Sequence, residues 1–304
     1  MIRKVLFVGS KSFGLSVAKL LYQLAPELLV GIITFDDSTD QRSVLGEFLS
    51  FGEKTGVITE VTSNPKDLRG VISKYRPDWC IVCGWYYIIP ESVLNMVKYG
   101  FAGIHASLLP KFRGSSPLVW AMIAGERTVG ASFFKFGPGV DDGPAFFQCE
   151  CTVESSDTIC NVLTKVENAT LACLTNTYRL ILDNKITPLA QSEEGVSYCA
   201  PRKPEDGRID WTKSASEVHD FVRAQSAPYP GAFTYRGNDL VVICRAEPAR
   251  VPHFAQPGQL ARRDGKAIYI GCGNRTALNL LEICVNGHLE IPSQLLRTYQ
   301  ERLS

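Results

Sequence analysis

Short apolar runs alternate with amphipathic segments along the first hundred residues, and this alternation restricts the fold more than any other feature. The apolar runs lie at residues 5–9, 28–34, 57–61 and 78–83. The segments between them have the apolar spacing of helices, at residues 15–22, 42–55, 65–75 and 90–97. Strands alternating with helices form a mostly parallel sheet covered on both faces. The sequence therefore predicts an α/β fold with a Rossmann-like, mostly parallel sheet in an N-terminal domain.

The pattern changes after a long helical stretch at residues 158–182. Residues 188–204 are polar and rich in Pro and Gly, which is typical of a linker. Short strands separated by Gly, Asn and Pro follow, at residues 232–235, 240–245, 258–261, 267–272 and 277–285. That spacing favours a small β-barrel. We therefore predict an N-terminal domain at 1–190, a linker at 191–204 and a small C-terminal β-barrel domain at 205–304.

The charge balance narrows the range of partners. The chain has 304 residues and a formal net charge of +1. A general nucleic-acid binder carries a basic stripe, and no long basic run is present here. Small anionic ligands are not excluded as partners, because binding them needs only a few local cations. The apolar stretches are too short to span a bilayer, so no membrane association is expected.

The positions of the ten cysteines predict free thiols rather than a metal site or a set of disulfides. Cys80 and Cys83 have the spacing of a metal or redox pair, but they lie inside an apolar run without a second pair or a nearby His. Buried free thiols and no metal are therefore expected. Many unpaired cysteines without a signal peptide predict a reducing, cytoplasmic location.

Two loops carry the groups that proton transfer requires. His105 follows the apolar stretch 99–104 and opens a long loop with Pro and Gly. Asp141 lies between Gly139 and Gly143 in a second loop. A histidine and a carboxylate in loops at strand ends can handle protons on a small substrate. Taken singly, the histidine fits a buried structural residue and the Asp-Asp-Gly run fits an ordinary turn.

Together the two loops carry a specific pattern. Residues 103–114 read Gly-Ile-His-Ala-Ser-Leu-Leu-Pro-Lys-Phe-Arg-Gly, and residues 139–143 read Gly-Val-Asp-Asp-Gly. They resemble the formyltransferase family that uses N10-formyltetrahydrofolate, whose hallmark is Asn-x-His, Ser-Leu-Leu-Pro-x-x-x-Gly and then an Asp-x-Gly loop. The resemblance covers nearly the whole chain. It implies formyl transfer to a primary amine and a C-terminal barrel related to the OB-fold.

The resemblance assigns catalytic roles residue by residue. It implies that His105 and Asp141 are catalytic, while Gly103 stands where the family has its Asn. Glycine has no amide, and loss of one oxyanion donor costs ~10²–10³ in rate. A backbone N–H, a water or a hydroxyl such as Ser132 is left open as a substitute. A slow enzyme, or a catalytically impaired folate- or nucleotide-sugar-binding module, is also left open, and Gly103→Asn is expected to raise turnover where space allows.

The resemblance also assigns binding residues. The folate is expected against Trp85, Tyr86, Tyr87, Ile88 and Ile89, with Gly137, Val140 and Asp142 from the second loop, although Asp142 also fits a turn role. The residues expected to contact the acceptor substrate are Gly9, Ser10, Ser107, Leu108, Pro110, Lys111 and Arg113. Lys111 and Arg113 fit either solvated loop charges or ligands for a phosphate or carboxylate.

Three acceptor amines fit the resemblance. The region after residue 200 is similar to that of UDP-4-amino-4-deoxy-L-arabinose formyltransferases, which favours a nucleotide-linked amino sugar. Siderophore hydroxyornithine formyltransferases give a second candidate. Methionyl-tRNA formyltransferase carries a basic insertion after its second strand, whereas residues 35–42 here read Phe-Asp-Asp-Ser-Thr-Asp-Gln-Arg. An acidic stretch repels a phosphate backbone, so tRNA is disfavoured, and a homodimer is left open.

Overall fold

The computed structural model describes residues 2–304, which fall into two compact units. The first unit comprises the chain through Gly114, Gly130–Cys151 and Lys165–Tyr198. The second unit comprises Ser115–Val129, Thr152–Thr164 and Cys199–Ser304. Each unit is thus assembled from separate stretches of the chain, and the contiguous domain limits at 1–190 and 205–304 stay a prediction.

The strands and helices follow in chain order. The strands are β1 (Val5–Gly9), β2 (Leu29–Phe35), β3 (Thr59–Thr62), β4 (Trp79–Cys83), β5 (Phe101–His105), β6 (Arg113–Gly114), β7 (Thr128–Lys135), β8 (Ala145–Thr152), β9 (Tyr198–Cys199), β10 (Ala232–Arg236), β11 (Asp239–Pro248), β12 (Leu260–Asp264), β13 (Ala267–Gly271), β14 (Ala277–Val285) and β15 (His288–Glu290). The α-helices are α1 (Lys11–Leu24), α2 (Leu45–Thr55), α3 (Leu68–Tyr75), α4 (Glu91–Leu94), α5 (Pro117–Ile123), α6 (Ile159–Leu182), α7 (Ala215–Gln225) and α8 (Pro292–Leu295). Short 3₁₀ helices span Pro65–Asp67 and Pro204–Gly207.

A seven-stranded sheet forms the centre of the first unit, in the order β3-β2-β1-β4-β5-β7-β8. The five strands from β3 to β5 are parallel, and β7 pairs with β5 in the antiparallel direction. The predicted mostly parallel α/β sheet is therefore confirmed. Because parallel strands end at one edge, the loops after β1, β4 and β5 lie side by side there, where such sheets bind ligands.

Both faces of this sheet are buried. Alternate residues of a strand point to opposite faces, and in β1 Val5 and Phe7 join one hydrophobic cluster while Leu6 and Val8 join another. Such a strand reads as a continuous apolar run because helices cover both faces. The first strand was recognisable in the sequence for this reason.

The two cysteines of β4 belong to these same clusters. Cys83 lies in one and Cys80 in the other, so their thiols point to opposite faces of the sheet. Burial raises the pKa of both thiols well above the ordinary value. The prediction of buried free thiols is confirmed for this pair.

The second unit is built on a six-stranded antiparallel sheet. Its order is β10-β11-β14-β13-β12, and β15 pairs with β14. Helix α7 begins with a capping box in which Ser214 and Glu217 satisfy each other's backbone amides. The short strands predicted for this region are confirmed as an antiparallel sheet, while closure into an OB-like barrel stays a prediction. Over residues 2–304, no helix combines the length and apolarity needed to cross a membrane.

Candidate active site

His105 and Asp141 lie side by side in the first unit. His105 is the last residue of β5, and Asp141 lies in the loop between β7 and β8. The distance from His105 Nδ1 to Asp141 Oδ2 is 3.4 Å. A carboxylate beside an imidazole orients the ring and supports proton transfer. The predicted convergence of these two side chains is confirmed, while their catalytic roles stay a prediction.

Asp141 is held by its backbone and by one amide. Its φ is +50°, in the left-handed region that Asp tolerates better than most residues. The backbone N–H of Gly114 donates a hydrogen bond of 2.8 Å to Asp141 Oδ2. The same carboxylate oxygen therefore faces both the amide of Gly114 and the ring of His105.

The second ring nitrogen of His105 is engaged as well. Nε2 lies 2.8 Å from the carbonyl oxygen of Phe112, and because a carbonyl can only accept, Nε2 carries a proton in this contact. The histidine is 9% exposed, and the Phe134 ring meets it edge-on at 6.4 Å between centroids. A substrate that accepts a hydrogen bond from Nε2 must therefore displace the Phe112 carbonyl.

An aromatic ring occupies the space beside Gly103. A Cβ added at Gly103 would lie 2.3 Å from Cε1 and 2.9 Å from Cζ of Phe136. That ring is stacked on Phe101 at 6.3 Å and lies 5.3 Å from the Phe134 ring. The expected gain in turnover from Gly103→Asn required open space, and Phe136 removes it. Sequence reasoning missed Phe136 because the clash arises between Gly103 on β5 and the residue directly after β7, which are 33 positions apart in the sequence.

Ser132 is not available as a substitute oxyanion donor. Its hydroxyl donates to the Ser107 carbonyl at 2.7 Å. It accepts from the Leu109 N–H at 3.1 Å and from Gln148 Nε2 at 2.8 Å. A hydroxyl has one donor and two acceptor positions, so Ser132 is fully used. Ser107, predicted to contact substrate, is 3% exposed and its hydroxyl donates to the Lys111 carbonyl at 2.7 Å.

The other predicted substrate residues of the loop after His105 differ in how far their side chains are exposed. Leu108 and Pro110 are half-buried, and Lys111 is exposed. A Cβ added at Gly130 would lie 2.7 Å from Cδ2 of Leu108, so Leu108 packs closely on β7. Of these three predicted substrate residues, Lys111 has the most accessible side chain.

The predicted substrate contacts at Gly9 and Ser10 face inward. A Cβ at Gly9 would lie 1.9 Å from the Cys83 carbonyl oxygen, so only glycine fits where the β1 turn meets β4. Ser10 is 2% exposed, and its hydroxyl donates to the Gly84 carbonyl at 2.7 Å. These positions join two neighbouring loops at this edge of the sheet, and the contact of Gly9 and Ser10 with substrate stays a prediction.

Arg113 is buried, with 8% exposure, and neutral groups hold its guanidinium. Nε and Nη2 donate to Gln191 Oε1 at 3.2 and 2.7 Å. Nη1 donates to the Tyr198 hydroxyl at 3.3 Å. Sequence reasoning did not identify Gln191, which falls at the start of the predicted linker and carries no recognisable motif.

The segment predicted to bind folate follows β4 and is partly exposed. Tyr86 is 59% exposed and Ile88 is 87% exposed. Ile89 is instead 7% exposed and packs into the hydrophobic cluster that contains Leu6 and Val8. The side chain of Ile89 therefore serves the core, and the expected contact of this residue with folate stays a prediction for its backbone.

Trp85 forms an aromatic cluster with Phe35 and Tyr87. The rings lie 6.0 Å apart for Trp85 and Phe35, 5.8 Å for Trp85 and Tyr87, and 4.9 Å for Phe35 and Tyr87. Among residues 2–304, the buried Nε1 of Trp85 has no hydrogen-bond partner. Because this Nε1 is buried, the part of the cluster that is open to a flat ligand is the 40% exposed ring of Tyr87 rather than the unsatisfied donor.

The residues of the second loop that are predicted to contact folate differ in their surroundings. Val140 is 51% exposed and is available to a ligand. Asp142 Oδ2 accepts a hydrogen bond from the Gly139 N–H at 3.0 Å, and a Cβ at Gly137 would lie 2.3 Å from Asp142 Oδ1. Asp142 thus braces the turn, which favours the structural alternative for this residue over direct ligand contact.

The acidic stretch after β2 carries its own cations. Lys11 Nζ lies 2.5 Å from Asp37 Oδ2 and 2.9 Å from Asp40 Oδ2. Arg42 binds Asp40 with both Nε and Nη2, and these hydrogen bonds hold the pKa of Asp40 well below its usual range. The stretch is therefore largely neutralised rather than simply acidic, and both cations are committed to carboxylates.

Metal ligation has no support within the part of the chain that the structure describes. No group of three or more His, Cys, Asp or Glu side chains among residues 2–304 is arranged to hold a metal ion.

Two family models match the chain. The formyl transferase model matches residues 39–177, and the model of the formyl transferase C-terminal domain matches residues 202–298. Together they span most of the sequence and both units of the structure. The chain belongs to the formyltransferase family, and it is an enzyme of the N-formyltransferase class.

Individual relatives agree with this assignment. The chain is 31% identical over 248 residues to the bifunctional polymyxin resistance protein ArnA of Wigglesworthia glossinidia brevipalpis, covering 80% of this chain but only 38% of that protein. It is 28% identical over 300 residues to methionyl-tRNA formyltransferase of Bacillus mycoides, covering 97% and 95%.

A solved structure shares the fold. The N-formyltransferase from Helicobacter canadensis, in complex with folinic acid and dTDP-3-aminofucose, matches with a TM-score of 0.66. The match covers 92% of this chain and 99% of that chain at 14% sequence identity. At this identity the likeness establishes the common fold.

Proposed function

We propose that this enzyme transfers a formyl group from N10-formyltetrahydrofolate to the amine of a nucleotide-linked amino sugar. The observation that carries the proposal is the 3.4 Å approach of His105 Nδ1 to Asp141 Oδ2 at the ligand-binding edge of a formyltransferase-family sheet. When bound, the folate supplies the formyl carbon. We expect the donor to bind against Trp85, Tyr86, Tyr87 and Ile88 of the loop after β4 and against Val140 of the second loop.

The residues of the chain handle the protons. Asp141 orients the imidazole through Nδ1, and the Nε2 proton is the donor nearest the reacting carbonyl once the Phe112 carbonyl is displaced. The attacking amine loses a proton as it bonds to the formyl carbon, and the Nδ1–Oδ2 side of the His105–Asp141 pair is placed to receive it directly or through a water. An equivalent proton goes to N10 of the folate as its bond to the formyl carbon breaks. Since Phe136 stands in place of an amide donor, we expect turnover about 10²–10³ lower than with a complete oxyanion site.

The acceptor is inferred from charge and from relatives. Lys11 and Arg42 are paired with Asp37 and Asp40, so the stretch after β2 offers little to a nucleic-acid backbone, which demands many cations. A nucleotide diphosphate needs only one or two cations, so a chain with a formal net charge of +1 suits it better than a nucleic-acid backbone. The sugar-linked complex of the Helicobacter canadensis structure supports the same acceptor class.

Methionyl-tRNA is the second candidate acceptor. The observation that favours it is the match to methionyl-tRNA formyltransferase along 95% of that protein's length, against 38% for the first relative. The two acceptors differ in salt dependence, because binding to a phosphate backbone weakens steeply with salt whereas binding to one diphosphate weakens much less.

A panel assay tests the proposal. Purified protein is incubated with N10-formyltetrahydrofolate and either nucleotide-linked amino sugars, hydroxyornithine or methionyl-tRNA, and products are identified by mass. We expect one formyl group to be added to an amino sugar, with no transfer to tRNA. Transfer to methionyl-tRNA alone, with a steep salt dependence, would assign the second candidate. Folate binding without transfer to any amine would identify a binding module.

A further inference from the structure

Gln191 connects the loop of Asp141 to the loop that follows His105. Its Nε2 donates to the carbonyl oxygens of Asp141 and Gly143, both at 2.7 Å. Its Oε1 accepts from Nε and Nη2 of Arg113 at 3.2 and 2.7 Å. A side-chain amide has two donor hydrogens and two acceptor positions, and all four are used here. The opposite orientation of the amide would face its NH₂ group toward the Arg113 donors, so only one orientation satisfies the site.

The neighbouring backbone places this amide at the site. Leu189 and Ala145 exchange two backbone hydrogen bonds of 2.8 Å, which fixes the segment before Gln191 against β8. On the other side, Gly114 directly follows Arg113 and donates its N–H to Asp141 Oδ2. Gln191 and Arg113 therefore hold both the backbone of the Asp141 loop and the amide that contacts its carboxylate.

The conformation of Asp141 requires such support. A non-glycine residue in the left-handed region persists when its surroundings fix it, and Asp141 has a φ of +50°. The contact from its Oδ2 to His105 Nδ1 is already 3.4 Å, so a small displacement of the loop separates the pair. Misplacement of a catalytic group by about 1 Å can cost about 10²-fold in rate.

We propose that Gln191 is a positioning residue that, through Arg113, sets the distance between Asp141 and His105. The proposal rests on the proposed function for its kinetic consequence. A neutral amide is needed because a carboxylate at this position would still accept from Arg113 but could not donate to the two carbonyls. Gln191→Glu therefore keeps an acceptor for the Arg113 guanidinium but removes the two hydrogen bonds to the carbonyls of the Asp141 loop.

The chain offers a matched control in the second unit. Gln225 Oε1 accepts from Arg202 Nη2 at 2.6 Å, and its Nε2 donates to the Phe221 carbonyl at 3.2 Å. Gln225→Ala thus removes a buried Gln–Arg contact of the same kind. It is predicted to alter stability without altering the His105–Asp141 pair.

The experiment compares Gln191→Ala, Gln191→Glu and Gln225→Ala in the full chain, with two readouts. Steady-state kinetics are expected to give a kcat about 10²-fold lower for both Gln191 variants, with KM for donor and acceptor near wild type. Spectra of ¹⁵N-labelled histidine are expected to move the His105 resonance in the same two variants, with assignment by His105→Ala among the four histidines.

The two readouts separate the possible failures. Unchanged kcat and an unmoved His105 resonance in the Gln191 variants would overturn the proposal, as would equal changes in Gln225→Ala. If wild type transfers formyl to no amine, the proposed function fails, and the His105 resonance alone still decides whether Gln191 positions the pair. If Gln191→Ala does not fold, Gln191→Glu supplies both readouts because it keeps an acceptor for Arg113.

Discussion

A Cβ added at Gly103 would lie 2.3 Å from Cε1 of Phe136, so these two positions share a single volume. To make room for a side chain at Gly103, the Phe136 ring would have to leave its stacking on Phe101 and its contact with the Phe134 ring. The Phe136 ring therefore occupies the space that a side chain at Gly103 would need. The pair has to be altered together to restore an amide donor.

Gly103→Asn alone is expected to destabilise the fold rather than activate the enzyme. Overpacking a filled site typically costs about 1–3 kcal/mol, which chemical denaturation would measure. Gly103→Asn combined with Phe136→Ala should be less destabilised than the sum of the two single changes, and its kcat should exceed that of either single variant.

Gly46→Asn is the matched control for this substitution, because no atom lies within 4 Å of a Cβ built at Gly46. It should leave stability and kcat near wild type. A Gly103→Asn protein that gains turnover with undiminished stability would show that Phe136 moves freely and that the steric explanation is wrong.

Asp141→Asn should lower kcat while leaving folate affinity near wild type. The amide can still accept from Gly114, so the loop keeps that contact, but the negative charge beside His105 is lost. Loss of a positioned acid–base partner costs about 10²–10⁴ in rate. Stopped-flow turnover and calorimetry with folinic acid would separate the two effects, and a parallel loss of binding would place Asp141 in the folate site instead.

Ser132→Ala should act on stability through the loop after His105. The substitution leaves the Ser107 carbonyl without its donor and the Leu109 amide without its acceptor, and each unsatisfied buried group costs about 1–3 kcal/mol. A thermal-unfolding series would measure this loss. A large fall in kcat at unchanged stability would instead support the view that the hydroxyl stabilises the oxyanion.

Asp40 should contribute stability that depends on pH. Its folded-state pKa is depressed by the hydrogen bonds from Arg42, so the contribution is present above the unfolded pKa of about 3.9 and is lost as pH falls through the lower folded value. The difference in unfolding free energy between wild type and Asp40→Asn should be constant near neutral pH and shrink below about pH 4. A difference that persists undiminished in acid would exclude this ion pair as its source.

The sequence predicted the elements whose signals are local. Val5–Gly9 has the predicted limits, because a strand buried on both faces leaves a direct pattern of apolar residues. The predicted helix at 90–97 is a helix only over Glu91–Leu94. Beyond it, Met96 and Val97 donate to the carbonyls of the residues three positions before them, so the chain continues in tighter turns that keep the same apolar face buried.

The site was predictable only in part. His105 and Asp141 were found because each stands in a loop with a specific pattern. Phe136 and Gln191 were missed because each acts on a residue that is distant in the sequence. Phe136 fills the space beside Gly103, and Gln191 donates to the Asp141 carbonyl, 50 positions away. The inward turn of Ser10 was likewise hidden, since its partner Gly84 is 74 positions away.

Single-turnover transfer provides the most direct test of the His105–Asp141 pair. Wild type and His105→Ala are each mixed in excess over N10-formyltetrahydrofolate carrying a ¹³C-labelled formyl group, with a nucleotide-linked amino sugar present, and the labelled amide is followed by NMR. We predict that wild type moves the label to the sugar amine and that His105→Ala, with unchanged folate affinity, does so at least about 10²-fold more slowly. Equal rates in the two proteins would refute the assignment of His105 and Asp141 as the catalytic pair.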